Sequence, residues 1–440
     1  MTNSVMRQEG DHNANKAEFG PVRSVFYSSW YIPSVIVLAF GIRLVWLLIF
    51  HPHPVSDFAF YFHSAESIAR GLGYSRNGIS PTAYFPVGYP LFLGVIFRVF
   101  GISVTMALAV NLVLSVTSLF LAYRIARNLF RSELTGRLSI LLLAIYPDNV
   151  AYSALVGVEA LHLFLLLLGV TLLLPSIGNN GEVHPWRLLA AGIVFGFATL
   201  SKAQTLMLPL MLLSLFPQFS WNLTSIVHRL KKIIILYAAL IVVLIPWVMR
   251  NYGLYKDFVF SNNDGLDLYI GNGPEANGTF VTVPWFDVGD NTWKEYEVNK
   301  IARREAIEYI KTHPLRTLSL MPQKLVALFD NGDGIYWTSE GAGNGSMSPQ
   351  GVLPLLDQIN AIYEITIIVL FAVSVALGYW KRLWYGKGHG WPQLGIVVIF
   401  YFIGIYLVYF GAARFHFPII PWMMMYSAAL LSSALPEFVS

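Results

Sequence analysis

Asp57 follows the first long apolar run of the chain, which ends at Phe50, and opens the stretch Asp57-Phe58-Ala59-Phe60-Tyr61-Phe62-His63-Ser64-Ala65-Glu66. A carboxylate at the mouth of a membrane helix suits a base that takes a proton from an attacking hydroxyl. If residues 57–70 are helical, Tyr61 and Ser64 share the face of Asp57 while Glu66 points away. Asp57 also reads as an N-cap for a helix beginning at Phe58, and the two roles are compatible. Asp148, Glu159, Lys202, Arg250 and Arg414 fall at comparable places near helix ends. Charge at membrane depth costs about 2.5–3.5 kcal/mol at a helix centre, so such residues point to a site or a partner. Taken singly, each also reads as a side chain reaching from a helix end to water. Converging on one face, they would place cations for an anionic headgroup beside a base. Lys202, Arg250 and Arg414 are the candidate phosphate ligands, arginine by bidentate contact and lysine as a point charge. Arg250 reads equally as a cation favoured by the dipole at a helix C-terminus. Glu159 is placed to assist Asp57, to pair with Lys202, or to join Asp57 in an oxygen-rich site for magnesium or manganese.

These residues need a membrane scaffold, and the composition provides one. The chain has 440 residues, 55% hydrophobic and only 12% charged, against roughly 25% charge in an average soluble protein. With no cysteine, disulfides, thiolate metal sites and cysteine nucleophiles are excluded. The first apolar run, about 31–51, has no small-residue cleavage site and reads as an uncleaved anchor after a polar tail, 1–30. Further runs near 103–123, 137–147, 155–175, 187–201, 203–217, 232–249, 358–379, 392–410 and 415–435 predict about ten spanning helices. The stretches 89–100 and 315–329 are too short or too interrupted to cross and are expected beside the membrane. The fold class is thus an all-α polytopic membrane protein. Its expected parts are a core over 31–249 that includes an outer loop 52–102, a small outer-face region over 250–357, and C-terminal helices over 358–440. The segment 293–312 is expected to be helical.

Orientation follows from basic residues, which collect in cytoplasmic loops. Alternate short loops carry Arg124, Arg127, Arg131 and Arg137, then Arg187, then Arg229, Lys231 and Lys232, then Lys381, Arg382 and Lys387. Only Glu133 and Glu182 lie among them. The N-terminal tail is therefore expected on the cytoplasmic side of the cell inner membrane, and the charged helix ends on its extracytoplasmic face.

Four segments resemble the polyprenyl-phosphate-sugar-dependent glycosyltransferases of the GT-C type, in the branch of the protein O-mannosyltransferases and the lipid A aminoarabinose transferases. They are Asp57 with Tyr61, Ala65 and Pro86-Val87-Gly88-Tyr89-Pro90-Leu91, then Tyr146-Pro147 with Glu159, then Pro246-Trp247-Val248-Met249-Arg250-Asn251-Tyr252 continuing to Gly265-Leu266-Asp267-Leu268-Tyr269-Ile270-Gly271-Asn272, and finally Arg414-Phe415-His416-Phe417-Pro418. The resemblance spans nearly the whole chain and implies a GT-C-like bundle. It implies inverting transfer of a sugar from a polyprenyl-phosphate donor to a hydroxyl of a lipid, glycan or protein, with Asp57 as base. Tyr61, Glu159, Tyr89 and His416 would support the site. The chain departs from the family in having Phe58 after Asp57 where the mannosyltransferases carry an Asp-Glu pair, and lysine at 202. Both departures weaken protein mannosylation as the specific reaction.

Other features carry less. Arg43 lies inside the first span and is expected to have a structural partner. His53, His63 and His416 show no ligand spacing, and Tyr84, Trp247, Tyr269 and Trp285 suit either a sugar pocket or a membrane interface. The sequons at Asn277 and Asn344 would have no meaning in a bacterial protein. Membrane lipids are the expected surroundings, and nothing points to nucleic acid or a nucleotide sugar. The rival readings are a transporter or flippase, which would set its charges near the midplane of two related halves, and a non-catalytic binder of polyprenyl phosphate.

Overall fold

A computed structural model describes residues 25–178, 184–214, 223–283, 291–342, 351–381 and 392–434. Glu182, Trp285, Asn344, Arg382, Lys387 and most of the 1–30 tail lie outside the described residues. Helices α1 Tyr31–Phe50, α2 Ser56–Ala69, α3 Gly88–Phe100, α4 Val104–Phe130, α5 Glu133–Ile145 and α6 Pro147–Tyr152 come first. They are followed by α7 Val158–Gly178, α8 Pro185–Ser201, α9 Leu208–Ser214 and the long α10 Leu223–Tyr255. The polar region holds α11 Asp264–Asn272, α12 Thr292–Thr312, α13 Pro314–Ser319, α14 Met321–Leu328 and α15 Gly334–Ala342. Helices α16 Leu353–Lys381, α17 Gln393–Val408 and α18 Ile420–Ala434 close the chain. The architecture is that of an all-α polytopic membrane protein.

Four helices, α1, α4, α10 and α16, are long and apolar enough to cross a membrane alone. Apolar side chains such as Val37, Val45 and Leu48 on α1 are exposed, which is what a lipid-facing surface requires. Others are shorter than the sequence suggested. Helix α5, which covers the expected 137–147 run, has 13 residues, about 20 Å at 1.5 Å per residue. Helix α9 has 7. Both are packed against neighbouring helices, so bundle contacts rather than length hold them.

The helix ends that carry the candidate residues meet at one end of the bundle. Helix α3 starts on Gly88, where an added Cβ would stand 2.5 Å from the backbone of Leu200 and Ser201. Only glycine lets α3 press onto the last turn of α8, and that contact fixes the chain entering Lys202. The loop between α2 and α3 is pinned by Glu295 of α12, whose carboxylate accepts from Thr82 Oγ1 at 2.5 Å, the Ala83 N–H at 2.9 Å and Asn262 Nδ2 at 2.8 Å. Burial pushes Glu295 up, against these hydrogen bonds. The polar region therefore laces into the first loop. Its own small core of Leu266, Tyr269, Ile270, Ala302 and Ala306 takes in Phe410 from beyond α17.

The segment over 293–312 is helical as expected, with Asn291 capping α12 by accepting from the N–H groups of Trp293 and Lys294. Residues 89–100 form α3, and 314–328 two short helices. Arg43 is buried and spends its guanidinium on Ser115 Oγ, the Ala39 and Ala144 carbonyls and Asn149 Oδ1. It is a structural tie between α1, α4, α5 and α6.

Candidate functional site

A cavity of about 510 Å³ opens where these helix ends meet. Asp57 and Tyr61 reach it from α2, Glu159 from the first turn of α7, and Lys202 from the residue after α8. Asp264 and Asp267 come from α11, Tyr406 from α17, and Arg414 from a 3-10 turn, Ala413–His416. Tyr84 lines the same wall.

Two ion pairs organise the floor. Arg414 Nη1 donates to Asp57 Oδ2 at 2.7 Å, both side chains about a quarter exposed. Lys202 Nζ donates to Glu159 Oε1 at 3.2 Å, with the carboxylate almost fully buried. Burial works against the charge of Arg414, but Asp57 and Glu159 outweigh it and raise the arginine further. It is therefore a permanent cation facing the cavity. Glu159 Oε2 is buried with no hydrogen-bond partner among the described residues. Burial first, and then the charges of Asp57 and Glu159, raise the Tyr61 phenol, so it stays a neutral hydroxyl. Gln204 beside Lys202 donates to Tyr406 OH at 2.6 Å, and Tyr406 stacks on Phe415 at 4.8 Å. This leaves one wall aromatic and one acidic.

Asp57 is not the cap of its helix. Helix α2 begins at Ser56, after Val55, with no side-chain cap. Asp57 sits inside the first turn, where the helix dipole favours a carboxylate. Asp57, Glu159, Lys202, Arg414 and Tyr61 are brought together, but Arg250, Tyr89, His416 and Asp148 are not.

The correction for Arg250 has a plain cause. Its Nη1 donates to the Thr82 carbonyl at 2.7 Å and Asn251 Oδ1 at 2.8 Å, its Nη2 to the Tyr74 carbonyl at 3.0 Å. The guanidinium lies over Trp247 and Tyr74, so it clamps the first loop and does not line the cavity. Tyr89 is buried against Asn111, whose Nδ2 donates to its hydroxyl at 3.0 Å, and packs edge-on behind Tyr61. It supports the site from outside. His416 and Asp148 form a separate buried cluster with Glu364. Trp247 donates to the Phe260 carbonyl and Tyr269 to Glu275, both away from the cavity.

For a metal at Asp57 and Glu159, each carboxylate already faces a side-chain cation, Arg414 and Lys202. Each contact uses one carboxylate oxygen, Asp57 Oδ2 and Glu159 Oε1, so the other oxygen of each would be the one offered to a divalent ion.

Asp267 is the residue that sequence reasoning passed over. Its carboxylate lines the cavity, receives Asn263 Nδ2 at 3.1 Å, and is pushed up to about 7. Burial is the main cause. Arg414 opposes it, while Asp264 and Asp57 add to it. Asp264, one helical turn earlier, is instead engaged by Arg303 at 2.6 Å. Asp267 lies inside the recognised segment Gly265-Leu266-Asp267-Leu268, between a buried and a partly buried leucine.

Residues 85–249 match the family model described as dolichyl-phosphate-mannose-protein mannosyltransferase. The archaeal oligosaccharyltransferase AglB from Archaeoglobus fulgidus, solved with an inhibitory peptide and a dolichol-phosphate, is similar at a TM-score of 0.55 and 12% identity. That match covers 92% of this chain and 51% of AglB. The chain thus spans about half the length of that protein. ArnT from Cupriavidus metallidurans, solved bound to undecaprenyl phosphate, matches at a TM-score of 0.45 and 13% identity over 92% of this chain and 79% of ArnT. No curated protein sequence matches. The likeness to AglB shows the fold alone, and the sequence match is confined to residues 85–249.

Proposed function

Taking the chain as a GT-C type glycosyltransferase, we propose that it moves a sugar from a polyprenyl-phosphate donor to an acceptor hydroxyl, with inversion, at the extracytoplasmic face of the cell membrane. One observation carries this reading: four segments far apart in sequence place Asp57, Glu159, Lys202 and Arg414 around one cavity. In the proposed step the acceptor oxygen attacks the anomeric carbon as its proton passes to Asp57. The bond from that carbon to the phosphate oxygen breaks. The polyprenyl phosphate leaves with the electron pair, and Lys202 and Arg414 take up its growing negative charge. Glu159 keeps Lys202 aimed at the cavity. Asp267 on the facing wall accepts a second hydroxyl of the acceptor. The transfer needs no metal between Asp57 and Glu159 in this scheme.

The placement of the face is supported by charge. Arg187 sits in the first turn of α8, at the opposite end from Lys202, Lys231 and Lys232 sit early in α10, and Arg137 lies in the first half of α5. Hexosyl or pentosyl transfer, and a lipid, glycan or protein acceptor, all suit a cavity this open to polar groups.

The deciding experiment compares wild type with Asp57→Asn. Each purified protein is incubated with membrane extract and a panel of radiolabelled undecaprenyl-phosphate sugars. Transfer by the wild type and a loss of about 10²–10⁴-fold in the variant is expected. Equal transfer by both would remove Asp57 as base. Donor binding without transfer in any combination would favour a non-catalytic binder.

A further inference from the structure

We propose that Asp148, Glu364 and His416 form a site for one divalent first-row transition-metal ion, zinc or manganese by donor set, separate from the transfer cavity. The three side chains come from α6, α16 and the 3-10 turn Ala413–His416, and one ligand atom of each lies within 4.8 Å of the others. All three are buried, Asp148 at 0%, His416 at 1% and Glu364 at 3% exposure.

Hydrogen-bond accounting leaves a gap that a cation fills. Asp148 Oδ1 accepts from the Gly334 N–H at 2.7 Å, but Oδ2, fully buried, has no donor among the described residues. The two positions that press against Asp148 are glycines. An added Cβ on Gly332 would lie 2.4 Å from Asp148 Cγ, and one on Gly334 2.7 Å from Oδ1. Glu364 is held on both oxygens, by Tyr146 OH at 2.6 Å and Asn360 Nδ2 at 3.1 Å on Oε1, and by the Gly332 N–H at 3.1 Å on Oε2. His416 Nδ1 lies 3.0 Å from the Leu328 carbonyl, which only accepts, so Nδ1 carries the proton. In the neutral ring that leaves the Nε2 lone pair facing inward, as backbone carbonyls behind metal-binding histidines do.

Nε2 faces Tyr146 OH at 3.2 Å and Glu364 Oε1 at 3.5 Å. The one phenol proton is spent on Glu364 in the shorter contact, so Nε2 also meets acceptors with no donor. With Nε2 and Asp148 both unprotonated, two buried carboxylates and a neutral imidazole carry uncompensated negative charge, an arrangement proteins avoid. One divalent ion cancels that charge and takes a lone pair from each. One imidazole nitrogen with carboxylate oxygens suits zinc or manganese better than calcium or magnesium, which favour all-oxygen shells. The ion would tie α6 and α16 to the turn that also carries Arg414, two residues before His416, and so hold the cation of the transfer cavity in place. The alternative occupant of the gap is a pair of protons, one on Nε2 and one on Asp148.

The test uses the full chain, purified in detergent through a tag that binds no metal, and measures metal by inductively coupled plasma mass spectrometry. Samples are taken as isolated and after incubation with zinc or manganese followed by desalting. About one ion per chain is expected in wild type, falling at least tenfold in His416→Gln and Asp148→Asn. Chelation should lower the wild-type melting temperature, and zinc or manganese should restore it. This readout also decides the matter if the variants do not fold. No bound ion in wild type after incubation would overturn the proposal in favour of the protonated cluster. So would an ion retained by both folded variants, or a melting temperature indifferent to chelation. None of these readouts needs a sugar donor, so the proposal stands or falls apart from the transfer reaction.

Discussion

Arg414 and His416 stand two residues apart in one 3-10 turn, and they face carboxylates under opposite conditions. Arg414 reaches into an open cavity and meets Asp57 in a pair about a quarter exposed. His416 turns into a sealed pocket and meets Glu364 and Asp148, where one carboxylate oxygen has no donor among the described residues. The residue types are similar, but an exposed pair can open to admit a phosphate at little cost, because water solvates both partners while they exchange. A buried set cannot open without stranding charge in a low dielectric. The first arrangement suits turnover and the second suits holding a turn in place. Perturbing the open pair should therefore change rates, and perturbing the sealed set should change stability.

The largest effect expected from this contrast is on Arg414. Arg414→Lys keeps a cation but loses the fork geometry, so it should lower transfer by about 10²–10³-fold while the melting temperature moves little. The reading is sharpened if donor affinity, followed with the same radiolabelled undecaprenyl-phosphate sugars, falls less than the rate. A large loss of melting temperature with unchanged rate would assign Arg414 to the sealed side of the comparison.

The converse variant is Tyr146→Phe, which removes the hydroxyl that donates to Glu364 at 2.6 Å and nothing that lines the cavity. Leaving a buried carboxylate oxygen short of a donor costs about 1–3 kcal/mol, read as a lower unfolding midpoint in detergent. Transfer per folded molecule should stay within about twofold of wild type, since the change falls in stability and not in transition-state binding. A tenfold fall in rate at unchanged stability would mean that the two regions are coupled through the shared turn.

The division between the regions was only half legible in sequence. Spans were readable because an apolar run near 20 residues has few other uses, and α1, α4, α10 and α16 follow that rule. The short α5 and α9 were placed but not sized, because bundle packing rather than membrane thickness sets their length. Asp57, Glu159, Lys202 and Arg414 were legible as charges at helix ends on one face. By the same criterion Arg250 and Asp148 looked alike, and only three-dimensional partners separate them. The carbonyls of Tyr74 and Thr82 that occupy Arg250 carry no sequence signal. Glu364 went unremarked because a lone acid, 11 residues into the apolar helix that starts at Leu353, shows no partner in sequence. Asp267 was inside a recognised segment, yet nothing in the sequence tells a buried acid from a solvated one.

Asp267 also sets the smallest and most specific expectation. It lies in the open cavity but is partly desolvated, so it combines features of both regions, and its carboxyl is pushed up to about 7. Below that pH it is protonated and cannot accept a hydroxyl from the acceptor. With one pH unit below the pKa leaving about a tenth ionised, transfer at saturating donor should fall about tenfold from pH 8 to pH 6. Asp267→Asn should flatten that limb at a lower plateau, leaving donor affinity unchanged. Stability should move the other way. An acid whose folded pKa is raised binds more protons folded than unfolded between its unfolded value, about 3.9, and about 7. The wild type should therefore lose stability as pH rises through that window, and Asp267→Asn should lose less. A pH profile of rate that survives Asp267→Asn unchanged would return the titration to another group and leave Asp267 a wall residue. A stability profile that changes while the rate profile does not would place Asp267 with the sealed cluster in kind, though not in position.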